Sequence, residues 1–194
     1  MNKSGEANRR VRSTRKKLKE GLIFLMKDKS VNEITVAEIS RYADISRGTF
    51  YLHYSDIYAL LHAVEDELLG RFETVLYTET ESSREGLVSC LTEVISFIGL
   101  NIDIFSVLFG NNNNDNYFIE KVKSLVSNRY SEYWSGKIPD SDSDRDEICE
   151  AFVMMGLFGA IKSWISNGMK ESAENIATLV ADMIIRCVEL GRED

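Results

Sequence analysis

The sequence contains a single proline, Pro139, and it lacks any long stretch in which apolar and polar residues alternate. Proline interrupts helices and alternation is typical of half-buried strands, so both absences favour long helices over a sheet. There is also no run of about 18 uncharged apolar residues, the length that crosses a membrane. The richest apolar run, 151–161, falls well short. These absences predict a helical globular protein with no membrane partner.

Histidine and cysteine are also scarce. The two histidines, His53 and His62, have no partner at a metal-ligand spacing, and the cysteines, Cys90, Cys149 and Cys187, lie far apart. No nucleophile motif, pair of catalytic carboxylates or phosphate-binding loop stands out. The N-terminus has no apolar stretch behind its charges, which argues against a signal peptide. We expect a reduced cytoplasmic protein, not an enzyme, with no metal site and no cofactor.

The net charge of −8 is unevenly distributed along the chain. Residues 1–60 hold 12 Lys and Arg against 7 Asp and Glu, a net charge of +5, whereas residues 61–194 hold 11 against 24, a net charge of −13. A basic head on an acidic body indicates that the head binds a polyanion. Taken alone, the charge counts are explained equally well by a chance excess of basic residues on a solvated helix face.

Apolar residues recur at helical spacing along the chain and predict an all-α fold of about nine helices. The first helix carries an apolar stripe made of Leu18, Leu22, Leu25 and Met26. A basic stripe follows the same rhythm half a turn away and consists of Arg9, Arg12, Lys16 and Lys19. This helix is expected to bury one face and to present a basic surface.

Two short helices with explicit start signals come next. Thr35 and Glu38 form a capping box that begins a helix over 36–42. Ser46 caps the following helix, and only residues 43–45 lie between the two. Short helices joined by so tight a turn are typical of a helix-turn-helix, in which the second is the recognition helix. Neither is long enough to be stable alone, so packing on the first helix must hold them.

The segment ISRGTFYLHYSD, residues 45–56, supplies the recognition helix. On a helix begun at Ser46, Phe50 and Tyr54 are expected to pack inward. The outward positions are Arg47, Thr49, Tyr51 and His53. Arginine can hydrogen-bond guanine O6 and N7 together, and hydroxyl groups contact phosphates or thymine methyls, so this set suits duplex DNA. Gly48 lets the backbone approach the groove closely, and the basic stripe attracts phosphates.

The run ITVAEISRYADISRGTFYLHYSDIYALL, residues 34–61, resembles the helix-turn-helix signature of the tetracycline-repressor (TetR) family of bacterial regulators. The segments FSVLFGNNNNDNYF and KSWISNGMKESAENIA resemble one subgroup of that family's C-terminal domains. The resemblance implies a homodimer whose N-terminal domains each bind half of a palindromic operator. It also implies C-terminal domains that dimerise and often hold an inducer.

The resemblance implies roles for individual residues as well. Thr35 matches a phosphate contact, and Tyr51 and His53 match contacts to the DNA backbone. The variable base-reading positions are matched by Arg47, Gly48 and Thr49. The family usually has a lysine at the start of the fourth helix, where this chain has Ile57. Without that lysine, the basic segment 9–19 is expected to supply the phosphate contacts.

We therefore divide the chain into a DNA-binding helix-turn-helix domain, 1–56, and a helical ligand-binding and dimerisation domain, 57–194. A capping box of Ser82 and Glu85 is expected to begin one helix of the second domain. Its large aromatic and methionine side chains are typical of a plain core, but they are also candidates for lining a pocket. The candidates are Phe97, Phe105, Tyr130, Trp134, Met155, Phe158 and Trp164.

The helix expected at about 145–166 is apolar nearly all round, and one neighbouring layer cannot cover such a helix. We expect it to pair with a second copy of the chain, together with the helix at 173–190. The expected dimer contacts are Phe152, Gly156, Ala160 and Met183.

These patterns together predict a dimeric transcriptional regulator, a repressor released from its operator by a small apolar or aromatic ligand. A strongly anionic ligand is disfavoured because the body is acidic. The alternatives within this class are an activator and a regulator controlled by a partner protein. An all-helical enzyme with a DNA-binding head lacks a visible catalytic motif, and a DNA-bending protein would need basic charge over its whole surface.

Overall fold

The computed structural model describes residues 3–78, 81, 83–109, 117–134 and 143–191. Within these ranges the chain forms α-helices and one 3-10 turn, Val31–Glu33, and no strand. The helices α1 to α9 are, in chain order, Lys3–Met26, Val36–Ala43, Arg47–Tyr51, Ile57–Leu76, Arg84–Leu100, Ile102–Leu108, Tyr117–Trp134, Ser143–Ser166 and Ala173–Gly191. The prediction of an all-α chain with about nine helices is confirmed.

Internal contacts divide the chain into two compact units. The first comprises residues 1–68 and 103–116, and the second comprises residues 69–102 and 117–194. The division falls inside α4, after Leu68, because the early apolar residues of α4 belong to the core of the first unit. The functional boundary at residue 56 stays a prediction.

The first unit forms around the apolar stripe of α1. Leu18 and Leu22 are fully buried, and α2 packs directly on this helix. Phe50 of α3 is also completely buried, so the short recognition helix is anchored by its one large inward side chain. The Lys27 Nζ atom lies 2.6 Å from Asp103 Oδ1, which links α1 to α6. Burial of side chains such as these contributes about 1.5–3 kcal/mol each, which α3 cannot obtain alone.

The second unit is held together chiefly by α5 packing against α9, with α8 lying against both α9 and α7. Ile95 on α5 and Ala177 and Ala181 on α9 are fully buried. The small alanines allow close approach of the two helix backbones. The Arg84 Nη2 atom lies 2.7 Å from Asp182 Oδ1, which adds an ion pair at the edge of the same interface.

Two helix starts differ from expectation or lie outside the described residues. Ser83 caps α5, its side chain accepting a hydrogen bond from the Gly86 N–H. The predicted cap, Ser82, lies outside the described residues, as do residues 140–142 at the start of the acidic run before α8.

One face of α8 and α9 is apolar and exposed. A stretch of α8, Glu147–Ser166, is long and apolar enough to cross a membrane by length and composition, but only 22% of it is buried. The exposed apolar side chains on the two helices are Ile148, Phe152, Met155, Leu179, Met183 and Leu190. Spacings of three or four residues on α8, and of four and seven on α9, put each set on one face of its helix, and no described part of the chain covers these side chains.

Candidate DNA-binding surface and ligand cavity

The start of α2 has the predicted capping box. The Thr35 side chain accepts a hydrogen bond from the Glu38 N–H, and the Glu38 carboxylate accepts one from the Thr35 N–H at 2.9 Å. Lys29 Nζ also lies 2.5 Å from Glu38 Oε1. The lysine and the two Thr35 donors lower the pKa of Glu38 to about 2. Thr35 itself is exposed, as a phosphate contact requires.

The turn between α2 and α3 depends on one residue in the left-handed region. Asp44 has φ 56° and ψ 52°, and its N–H donates to the carbonyl groups of Ser40 and Arg41. Aspartate tolerates this conformation better than most side chains. The next N–H, of Ile45, donates to Ser40 O at 3.0 Å and closes the end of α2. The chain then turns sharply enough for α3 to begin at residue 47.

Ser46 begins α3 as the sequence predicts. Its hydroxyl accepts a hydrogen bond from the Thr49 N–H at 3.0 Å and lies 2.9 Å from Thr49 Oγ1. Arg47 and Gly48 are exposed, and 58% of Tyr51 is accessible, whereas Thr49 is half-buried. The structure therefore brings Arg47, Gly48 and Tyr51 to one solvent-facing surface, with Thr49 beside them.

Two aromatic residues at the end of α3 lie partly inside. Tyr54 is half-buried, with its ring 6.2 Å from that of Phe50, which agrees with its predicted inward position. His53 is also half-buried, and burial followed by the charge of Arg15 lowers its pKa. Both effects favour the neutral imidazole in the free protein.

The basic face of α1 is shorter than predicted. Arg9, Arg12 and Lys16 are exposed, and Lys16 makes only a loose pair with Glu20 at 3.7 Å. Lys19 was expected to continue this stripe, and that expectation is wrong. Its ammonium group pairs with Glu67 and donates to Ala63 O at 3.3 Å, so Lys19 links α1 to α4.

The start of α4 explains the departure at residue 57. Ile57 is 8% exposed and packs in the core, so the side chain that replaces the family's usual lysine lies away from the surface. Asp56 begins the helix, its Oδ1 atom accepting a hydrogen bond from the Ala59 N–H at 2.8 Å. The start of α4 therefore has an aspartate that caps the helix, Asp56, and a buried isoleucine, Ile57, where the family usually has a lysine.

A mostly apolar cavity of about 70 Å³ lies within the second unit. Its lining comes from five helices, α4, α5, α7, α8 and α9, and includes Leu91, Val94, Met154 and Leu157. The polar side chains in the lining are those of Arg129, Tyr130 and Cys90. The location of the cavity depends on how five helices pack together, so the sequence pattern of a single helix does not reveal it.

Of the predicted pocket residues whose side chains the structure describes, only Tyr130 lines this cavity. Phe97 is buried beneath the Arg71 guanidinium, and Phe105 belongs to the core of the first unit. Trp164 does not line the cavity, and its N–H donates to Glu171 O at 2.9 Å in the α8–α9 connection. The Trp134 side chain lies outside the described residues.

Met155 and Phe158 line a different feature, an open groove of about 550 Å³ between α7 and α8. Three glutamates, Glu120, Glu147 and Glu150, also line it. The groove is more open than the cavity, and more polar side chains line it. Among the described residues, no group of three or more His, Cys, Asp or Glu side chains is arranged to hold a metal ion.

Comparisons with known proteins agree with this architecture. Residues 23–64 match the family model described as bacterial regulatory proteins of the tetR family, and residues 87–186 match a transcriptional regulator C-terminal region. Over 56 residues the chain is 36% identical to an uncharacterized HTH-type transcriptional regulator, YxbF, of Bacillus subtilis. That match spans 29% of this chain and only 15% of the relative.

Two solved structures share the fold. A TetR transcriptional regulator from Streptococcus agalactiae has a TM-score of 0.67 at 20% identity, with 93% of this chain and 98% of that chain covered. The regulator FadR from Bacillus subtilis, solved with stearoyl-CoA, has a TM-score of 0.64 at 13% identity, with 87% and 96% covered. The chain belongs to the TetR family of transcriptional regulators. The helix-turn-helix described above lies within residues 23–64, the segment that matches the tetR family model.

Proposed function

We propose that this regulator is a cytoplasmic homodimeric repressor that leaves a palindromic operator when a small, largely apolar ligand binds. The observation that carries the proposal is the surface of α3. Arg47, Gly48 and Tyr51 are exposed there, while Phe50 beneath them is completely buried. A short helix with one buried face and one exposed face is anchored to its domain through the first and can enter a major groove with the second.

In this proposal the two parts of the DNA-binding surface act differently. Arg47 and Thr49 read base edges, and Gly48 allows the backbone to approach them closely. Tyr51, His53 and Thr35 contact the DNA backbone, and Ser46 holds the start of α3 in position. Arg9, Arg12 and Lys16 supply attraction to phosphates of any sequence. Backbone contacts fix the register of the protein on DNA, and Arg47 then gives specificity.

The exposed apolar face of α8 and α9 supports the dimer. Phe152 and Met155 are each 69% exposed, and Met183 is 58% exposed. Gly156 and Gly159 have open space around them, which leaves room for a second helix to approach. Pairing two copies about a two-fold axis through Gly156, Ala160 and their neighbours removes this surface from water.

The cavity of the second unit supports control by a ligand. Its aliphatic walls favour hydrocarbon, and it lies in the domain that carries the dimer face. The similar regulator FadR was solved with a bound acyl-CoA, which fits a ligand-controlled regulator of this fold. Release of DNA requires that the ligand bind the conformation unsuited to the operator better, by about 1–3 kcal/mol for a typical coupling. Operator DNA must then weaken ligand binding by the same factor.

The DNA-binding surface can be tested by selecting an operator from a random duplex pool and measuring the affinities of variants. Arg47→Ala is expected to lose about 1–3 kcal/mol on the selected site and to relax one base position. Lys16→Ala is expected to weaken selected and random DNA equally and to reduce the salt dependence. Lys121→Ala, an exposed lysine on α7, is the control. Unchanged affinities for Arg47→Ala would show that the recognition helix is assigned wrongly.

A further inference from the structure

Leu52, the residue that caps the C-terminus of α3, is the most exposed large apolar side chain of the helix-turn-helix, with 84% accessible. Its backbone continues the helix, with φ −73° and ψ −18°, and its N–H donates to Gly48 O at 3.3 Å. The side chain therefore follows the register of α3. A single exposed leucine is ordinary on a protein surface, so what distinguishes Leu52 is its position.

Leu52 lies opposite the buried anchor of α3. Successive residues of an α-helix are about 100° apart around its axis, so the residues two positions before and two positions after Phe50 both point away from it. These residues are Gly48 and Leu52. Because Phe50 is completely buried, the two lie at the centre of the outward face, and the exposed Arg47 and Tyr51 lie to one side of that centre.

Gly48 leaves the centre of this face to Leu52. A Cβ atom on residue 48 would have one neighbour within 4 Å, the Ser46 Oγ atom at 3.7 Å, so the backbone there is open to the outside. Leu52 follows one helical turn later and supplies the side chain at the centre. In the proposed binding mode α3 enters the major groove, and this central side chain then meets the edges of the base pairs.

The chemistry of leucine limits what it can recognise there. Its side chain has no hydrogen-bond donor or acceptor, so it cannot bind a phosphate oxygen or a polar group of a base. The apolar group that a base pair presents in the major groove is the C5-methyl group of thymine. Contact between this methyl group and Leu52 removes apolar surface of both from water, which is favourable.

We propose that Leu52 reads the methyl group of one thymine in each half of the operator. This inference rests on the proposed function and specifies a base that the DNA must contain. Arg47 selects a base through hydrogen bonds, whereas Leu52 selects one through a methyl group alone. The two contributions are therefore separable, because a methyl group can be removed from DNA without changing any hydrogen-bonding group.

Deoxyuridine provides the test, because it differs from thymidine only in lacking the C5-methyl group. Each thymine in one half of the selected operator is replaced in turn, and the affinity of the full-length chain is measured by fluorescence anisotropy. At one thymine the wild type is expected to bind about fourfold less tightly, the effect of one buried methyl group. Leu52→Ala is expected to bind both duplexes equally, and Leu52→Met, which stays apolar and long, to keep the preference.

Two controls accompany this measurement. At the sensitive position, 5-methylcytosine restores the methyl group on a different base pair, so the wild type is expected to prefer it to cytosine by about the same factor. Leu100→Ala is the matched variant, because Leu100 is 87% exposed at the end of α5 and belongs to the second unit. It is expected to discriminate like the wild type. Melting temperatures of both alanine variants are expected to stay unchanged, since neither leucine is buried.

The outcomes separate the role of Leu52 from the proposed function. Equal binding of thymine and deoxyuridine duplexes by the wild type at every position overturns the methyl contact. Unchanged discrimination by Leu52→Ala overturns it too, since another side chain then reads the methyl group. Weaker binding of Leu52→Ala with discrimination intact places Leu52 on the DNA backbone instead. In these three cases the test of Arg47 stands separately, whereas a pool that yields no preferred sequence overturns the proposed function as well.

Discussion

The ring of Tyr42 lies directly over Gly21. A Cβ atom on residue 21 would stand 2.8 Å from Tyr42 Cδ1 and 3.2 Å from Cγ, too close for either atom to stay in place. The same ring is 5.3 Å from that of Phe24. Gly21 therefore allows α1 and α2 to approach each other through an aromatic contact.

Gly21→Ala is expected to destabilise the wild type by about 1 kcal/mol, because displacing the Tyr42 ring costs more than the helix propensity of alanine returns. In a Tyr42→Ala background the same change is expected to stabilise by roughly 1 kcal/mol, since only the propensity remains. Urea denaturation of the four proteins measures both values. Stabilisation of equal size in both backgrounds would mean that the ring is not in contact.

The stability of the folded chain is expected to fall at acid pH as Glu38 becomes protonated. Its pKa is lowered from 4.5 to about 2 in the folded chain, so its contribution is fully present above pH 4.5 and is lost as the pH falls through about 2. Glu38→Gln keeps a hydrogen-bond acceptor for the cap but has no charge to titrate. Comparing melting temperatures at pH 7 and pH 3, we expect a smaller drop in the variant. Parallel curves for the two proteins would contradict a lowered pKa.

His53 is expected to take up a proton when DNA binds. Burial and Arg15 lower its pKa in the free protein, and a neighbouring phosphate would raise it. Operator affinity is therefore expected to increase as the pH falls from 7.5 to 5.5, and His53→Asn is expected to remove that part of the dependence. Anisotropy titrations at several pH values measure the effect. If wild type and variant vary alike with pH, His53 does not face a phosphate.

Gly156→Arg tests the dimer face. Residue 156 is exposed on α8, and open space surrounds the position that a Cβ atom would take, so the arginine fits the single chain but blocks a second copy. Gly70→Arg on α4 is the matched control, because Gly70 is also exposed and has the same open space. Sedimentation is expected to show monomers for the first variant and dimers for the second. A monomeric wild type at micromolar concentration would contradict the proposal.

Local signals in the sequence predicted the helix-turn-helix well. The side chains of Thr35 and Ser46 each accept a hydrogen bond from the N–H three residues further along, so the local sequence is enough to place the starts of α2 and α3. The burial of Phe50 follows from the same register. The inward turn of Lys19 could not be predicted this way, because it depends on Glu67, far along the chain.

The cavity was harder to predict because it depends on which helices meet. Trp164 is a large aromatic residue of the kind that lines ligand pockets, but its N–H donates a hydrogen bond to the Glu171 carbonyl, seven residues further along the chain. Arg129 was missed, although the sequence holds a signal for it. It falls in phase with the apolar residues Phe118, Val122 and Val126 of α7, and a charge at such a position indicates a special environment.

The capping of α2 and α3 has a consequence for how such a regulator can change its target. Thr35, Glu38, Ser46 and Phe50 hold the two helices, while the exposed Arg47 and Gly48 take no part in that support. Surface substitutions away from caps and cores usually alter stability by less than about 0.5 kcal/mol. In the proposed DNA-binding mode, substitution at these two positions is therefore expected to change the preferred DNA sequence without unfolding the protein, so that operator preference and fold can evolve independently.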